Sequence, residues 1–137
     1  MPRYRLFYHF VWATKLRLPL ITDANRDAIY NAIGSKVRLA NGIVHAINGM
    51  PDHVHLVATV PPSIALAKFV NEAKGSSSHL ANRLTALASD RSFKWQESYG
   101  VLSISETHLP VVIRYVVNQQ RHHRPDGKPD ARLEEIE

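Results

Sequence analysis

The stretch Ile43-Val44-His45-Ala46-Ile47-Asn48-Gly49-Met50-Pro51-Asp52-His53-Val54-His55-Leu56-Val57-Ala58-Thr59-Val60 decides how this chain folds. Ile43 to Gly49 and His53 to Val60 are two short apolar runs, and Met50-Pro51-Asp52 between them has the composition of a turn, so the segment predicts a β-hairpin. Pro61-Pro62-Ser63 closes the second strand and opens a helix.

Working outward, Arg3 to Thr14 is rich in Tyr, Phe, Val and Trp with no Gly or Pro, which predicts a strand. Thr22 or Asp23 can cap a helix running to about Ala40, with Ile29, Ala32, Ile33, Val37 and Ala40 at helical spacing and Asn41-Gly42 as its stop. A second helix over about Ser63 to Ala88 carries Leu66, Phe69, Val70, Ala73, Leu80, Leu84 and Leu87, with Gly75-Ser76-Ser77-Ser78 predicting a bend or break in its middle. Tyr99 to Ser105 alternates as a fourth strand. Leu109 to about His122 is rich in β-branched residues, yet its paired apolar positions do not alternate and Pro110 suits a first helical turn, so a helix is expected. The order strand, helix, strand, strand, helix, strand, helix predicts an α+β ferredoxin-like sandwich: an antiparallel sheet with two helices on one face, plus a C-terminal helix. We read residues 1 to 137 as one domain, with a flexible, acidic tail over about 124 to 137.

Composition narrows the function. The 137 residues include no Cys, which excludes disulfide scaffolds, thiolate zinc sites and thiol catalysis. No apolar run has the length of a membrane span and the start lacks a signal-peptide pattern, so a cytoplasmic protein is expected. The net charge is +5. Residues 129 to 137 set only Arg132 against Asp130, Glu134, Glu135 and Glu137, so the body is more basic than the whole. Such a body favours polyanions, whose condensed counterions are released on binding, although a basic protein without a nucleic-acid role fits charge alone equally well.

His53 and His55 stand two apart on the predicted strand, so both side chains leave one face about 6.5 Å apart along the chain, close enough to share a metal ion. A structural role for the pair is the alternative. Tyr115-Val116-Val117-Asn118-Gln119 sets a carboxamide one helical turn from a phenol on the same face. Gln119 can thereby complete a mixed nitrogen and oxygen site, while Tyr115 could reach a metal-bound phosphate. Free Tyr titrates near 10 and is a poor nucleophile unless a cation assists it. The alternative is an amphipathic helix whose Tyr packs and whose Gln faces water.

The chain resembles the small single-tyrosine HUH transposases of insertion sequences (transposase A, the IS-two-hundred-like group) and their REP-associated relatives. Five ordered blocks carry the resemblance over nearly the whole length: Tyr8-His9-Phe10-Val11-Trp12-Ala13-Thr14-Lys15 with Arg17 and Pro19; Met50-Pro51-Asp52-His53-Val54-His55; Lys74-Gly75-Ser76-Ser77-Ser78; Trp95-Gln96 with Tyr99-Gly100; and Tyr115-Val116-Val117-Asn118-Gln119 with His122-His123. The resemblance implies Tyr115 as nucleophile and His53, His55 and Gln119 as ligands of Mg²⁺ or Mn²⁺. It implies cleavage of single-stranded DNA to a 5′-phosphotyrosine and a free 3′-hydroxyl, and rejoining by attack of another 3′-hydroxyl. It also implies a homodimer whose nucleophile helix can complete either subunit's site, and DNA hairpins at element ends as the partner.

Lys15, Arg17, Lys74, Ser76 and Lys94 are candidate DNA contacts, and Trp95 a candidate surface for base stacking, with Trp12 assigned to the core. Tyr8 and Tyr99 rank below Tyr115, since they fall in expected strands without a ligand-type residue one turn away. His9, His45, His79 and His108 are assigned ordinary core or surface roles, and His122 and His123 a solvated helix end. Competing functions are a replication or mobilisation nickase, which usually needs further domains, a domesticated hairpin-cutting relative, and a noncatalytic nucleic-acid binder.

Overall fold

The structure, a computed structural model, describes residues 3–85 and 92–119. The expected acidic tail and His122-His123 lie outside the described residues. The elements are β1 (Phe7–Ala13), a 3-10 turn (Lys15–Arg17), α1 (Arg26–Leu39), β2 (Ile43–Met50), β3 (His53–Thr59), α2 (Leu66–Thr85), β4 (Gly100–Ile104) and α3 (Leu109–Val117). The strands form one sheet in the order β2-β3-β1-β4, with every neighbouring pair antiparallel. This is the α+β ferredoxin-like arrangement expected from the element order.

Strand alternation divides the sheet into two environments. Phe10 and Trp12 of β1 and Val54, Leu56 and Ala58 of β3 meet Ile29, Ile33 and Val37 of α1 and Phe69, Val70 and Ala73 of α2 in the main core. Burying each large side chain there contributes about 1.5 to 3 kcal/mol. The other face receives α3: Val112, Tyr115 and Val116 pack with Ala46 of β2 and Val57 of β3. Strand β3 is thus paired along both edges and covered on both faces, and every one of its residues is buried. That is why two histidines on it are removed from water.

The boundaries differ from the sequence reading in ways that have local causes. β1 begins at Phe7 rather than Arg3, because Arg3 to Arg5 are exposed and the Arg5 guanidinium pairs with Glu106 beyond β4. α1 begins after Asn25 rather than Thr22 or Asp23. The Asn25 carboxamide accepts from the Thr22 N–H (2.7 Å) and donates to the Leu20 carbonyl (3.0 Å), which holds the entry turn. The expected stop is present: Asn41 takes a φ of 63°, and the Gly42 N–H returns to the Val37 carbonyl at 2.8 Å.

α2 starts at Leu66 rather than Ser63 and continues through Gly75 without the expected break. The Ser77 hydroxyl donates to the Ala73 carbonyl at 2.7 Å and that of Ser78 to the Gly75 carbonyl at 3.2 Å, so both side chains bond within the helix instead of opening it. β4 spans Gly100–Ile104, one residue shorter at each end than expected; α3 spans Leu109–Val117, Gln119 is helical again after a turn at Asn118, and the remainder of the expected helix to His122 lies outside the described residues. Among the described residues, no helix is long and apolar enough to cross a membrane.

Candidate active site

His53 and His55 project from β3 toward the face that α3 covers, and both are essentially inaccessible to solvent. Their ring centroids are 5.1 Å apart at an interplanar angle of 77°. Each ring is held by a different neighbour. The Asp52 carboxylate bonds His53 Nδ1 at 2.7 Å, and its second oxygen accepts from Arg17 Nε at 3.3 Å. Partial burial pushes the Asp52 carboxyl up, but the hydrogen bond and charge of His53, with Arg17, outweigh it and hold the group below its ordinary value. His55 Nδ1 is bonded instead by Nε2 of His9, at 2.8 Å.

His9 is buried, in keeping with a core role, and its bond to His55 is a contact that sequence reasoning did not reach. Alternation along Tyr8-His9-Phe10-Val11-Trp12 puts it opposite Phe10 and Trp12, but only the pairing of β1 with β3, which sets Val11 against His55 and His9 against Val57, brings it to the histidine pair. No sequence pattern marks that pairing.

Tyr115 is carried to the same place by α3. Its side chain is buried, and its ring stands edge-on to His55, centroids 6.1 Å apart at 76°. Val112 and Val116 anchor the helix, and Asn48, the register partner of His55 on β2, donates from Nδ2 to the Val117 carbonyl at 3.0 Å. Gln119, two residues beyond that tether, is fully buried. The chain therefore assembles His53, His55 and Tyr115 on one covered sheet face within a single copy. Among the described residues, no group of three His, Cys, Asp or Glu side chains could hold a metal ion, so a cation beside the two histidines requires a further donor such as the Gln119 carboxamide. The donor set suits one: with Nδ1 engaged in both rings, Nε2 is the nitrogen that would meet the ion.

Lys15, Arg17 and Lys94 are exposed along one rim. The Lys15 N–H donates to the Lys94 carbonyl at 2.9 Å, which joins the turn after β1 to the segment before β4. Leu16 and Arg17 both have left-handed backbones, with φ of 57° and 54°, a conformation that costs non-glycine residues of order 1 to 3 kcal/mol each. A cavity of about 370 Å³ opens here, lined by Arg17, Pro19, Met50, Pro51, Asp52 and His53.

Two of the expected DNA contacts, Lys74 and Trp95, have partners within the fold. Lys74 is buried, and its ammonium donates to the carbonyls of Gln96 (2.7 Å), Glu97 (2.9 Å) and Ser98 (2.9 Å) and lies 5.8 Å from the Tyr99 ring centroid. Burial lowers its pKa, against the opposing charge of Glu97. Its cation is spent inside the fold, because a buried ammonium must be fully hydrogen-bonded. Trp95 packs edge-on against Trp12 and Phe93 and donates from Nε1 to the Ser77 hydroxyl at 2.9 Å, so its ring is partly buried against the core while the residue also lines a cavity of about 460 Å³ with Lys74, Lys94 and Gln96. Ser76 is half-buried on α2 beside these residues.

Comparison with known proteins places this geometry in context. Residues 2–119 match the family model described as IS200-like transposase. The chain is 29% identical over 123 residues to the ISDra2 transposase TnpA of Deinococcus radiodurans, covering 85% of each chain. It is similar to a crystal structure of a candidate transposase from Deinococcus radiodurans R1, with a TM-score of 0.68 and 29% identity over 86% of this chain and 93% of the other. It also shares the fold of a REP-associated tyrosine transposase bound to a REP hairpin, with a TM-score of 0.64 and 17% identity over 90% and 74% of the two chains.

Proposed function

This chain belongs to the IS200-like transposase family, and from that membership we propose that it cleaves and rejoins single-stranded DNA through a phosphotyrosine on Tyr115. The observation that carries the reading is the meeting of a phenol from α3 with the His53 and His55 pair of β3 on one buried face.

His53 and His55 through Nε2, and Gln119 through its carboxamide oxygen, would hold a divalent cation, Mg²⁺ or Mn²⁺. Such an ion supplies Lewis-acid polarisation of a phosphoryl oxygen. The Tyr115 oxygen attacks the phosphorus of a phosphodiester, losing its proton, while the bond from phosphorus to the 3′-oxygen breaks and that oxygen leaves as a hydroxyl. A 5′-phosphotyrosine remains on the protein. A 3′-hydroxyl from another DNA end reverses the exchange, so one ester is traded for another and no ATP is needed. Burial of Tyr115 keeps bulk water from competing for the ester. Lys15, Arg17 and Lys94 on the rim would take backbone phosphates.

We extend the reading to a homodimer acting on two DNA ends, with hairpins as recognition elements. Val111 and Val117, exposed on the outer side of α3, support a second copy at that helix.

The test uses 5′- or 3′-labelled single-stranded oligonucleotides from the sequence flanking the gene, with Mn²⁺. A denaturation-resistant protein–DNA adduct is expected for the wild type. Tyr115→Phe should abolish it and keep noncovalent binding. An adduct that survives in Tyr115→Phe overturns the assignment.

A further inference from the structure

We infer that His9 is a positioning residue for the candidate cation site: it holds the proton of His55 on Nδ1 and so presents Nε2 of that ring as a lone-pair donor. The inference rests on the proposed site and goes beyond it, because it concerns a residue outside the proposed ligand set.

The geometry is that of one in-plane hydrogen bond. The ring planes of His9 and His55 lie within 14°, and the centroids are 5.0 Å apart while the joined nitrogens are 2.8 Å apart. The centroid separation exceeds the nitrogen separation by roughly two ring radii, so the rings meet edge to edge and nearly coplanar. A neutral imidazole has one N–H and one lone pair, and a bond between two ring nitrogens takes one proton. If His9 donates, His55 carries its own proton on Nε2 and cannot ligate through that atom. If His55 donates from Nδ1, Nε2 keeps its lone pair, and His9 is the acceptor.

Both rings are almost wholly buried, so the hydrogen bond between them is shielded from water. The two histidines are thus held by unlike partners. His53 is backed by the carboxylate of Asp52, the usual device for fixing a ligand imidazole, whereas His55 is backed by the imidazole of His9. His9 therefore orients His55 without adding negative charge on its side of the site.

Selective ¹⁵N labelling of histidine and long-range ¹H–¹⁵N spectra read the His55 tautomer directly, in the metal-free protein and with diamagnetic Mg²⁺. The Nδ1–H form is expected in the wild type and in His9→Gln, whose carboxamide oxygen can occupy the position of Nε2 and accept the same proton. His9→Leu should lose that preference. Mn²⁺ affinity, followed by electron paramagnetic resonance, should fall about 10- to 100-fold in His9→Leu and stay close to wild type in His9→Gln. Thermal melts of both variants establish that they are folded. A wild-type His55 in the Nε2–H form, or a folded His9→Leu with wild-type affinity and tautomer, overturns the inference while leaving the cation site intact. A wild type that binds no Mn²⁺ overturns the site and the inference together.

Discussion

The ring of Tyr115 stands edge-on to that of His55, at 6.1 Å between centroids, although the two residues lie on different elements in adjacent layers. The contact exists because α3 lies flat on the sheet face that β3 directs its histidines toward, with Val112 and Val116 filling the space against Ala46 and Val57. A single copy therefore supplies both phenol and imidazoles.

Asp52 links the exposed rim to the buried pair, with one carboxylate oxygen on His53 and the other on Arg17. Asp52→Ala should weaken Mn²⁺ binding by about 10- to 100-fold, since a ligand imidazole would lose the group that orients it. Asp52→Asn, which keeps an acceptor oxygen, should fall between that variant and the wild type. Titration calorimetry with Mn²⁺ measures both.

Lys74 holds the segment before β4 through three carbonyls. Lys74→Met keeps much of the aliphatic stem but leaves those carbonyls without their donor, and should destabilise the fold by about 2 to 4 kcal/mol. If the ammonium served DNA instead, the variant would melt like wild type and lose DNA affinity, a contrast that urea denaturation and a binding assay resolve.

Tyr30 gives an alkaline signature. Burial pushes its hydroxyl up to about 12, with the Arg26 charge opposing and Asp27 adding, and the oxygen has no hydrogen-bond partner among the described residues. An unfolded tyrosine ionises near 10, so the stabilising effect of the neutral buried form is complete below that pH. Between pH 10 and 12 the unfolded chain releases the proton first, and stability falls by on the order of 2 kcal/mol. Tyr30→Phe should flatten that part of the stability profile and cost nothing at pH 7.

The two glycines of interest answer oppositely. A Cβ at Gly49 would sit 2.3 Å from the His53 carbonyl oxygen and 2.9 Å from the Val54 Cα, so Gly49→Ala must push β2 off β3 at the histidines. It should lower the melting temperature markedly and weaken Mn²⁺ binding. A Cβ at Gly75 meets nothing within 4 Å, and Gly75→Ala in the middle of α2 should stabilise by about 0.5 to 1 kcal/mol.

Local rules made much of this protein legible. The hairpin around Met50-Pro51-Asp52, the helix stop at Asn41-Gly42 and the helical start at Leu109-Pro110 rest on turn chemistry and periodicity, which act over a few residues. The same rules misjudged Gly75 to Ser78, where a helix already packed along its length absorbs one glycine and turns serine hydroxyls inward. They also placed Lys74 at the surface, since charge suggests such a role until its carbonyl partners in the 96 to 98 segment are known.

From its residues alone, the chain determined that His53 and His55 share a strand face and that Tyr115 and Gln119 share a helix face, because side-chain direction repeats every second residue in a strand and every turn in a helix. Only the tertiary structure decided what those faces meet. The contact of His9 with His55 spans 46 positions and follows from β1 lying beside β3, and the burial of Tyr115 follows from which side of the sheet α3 occupies. Such pairings are chosen by the packing of whole layers, and no short window of residues encodes them.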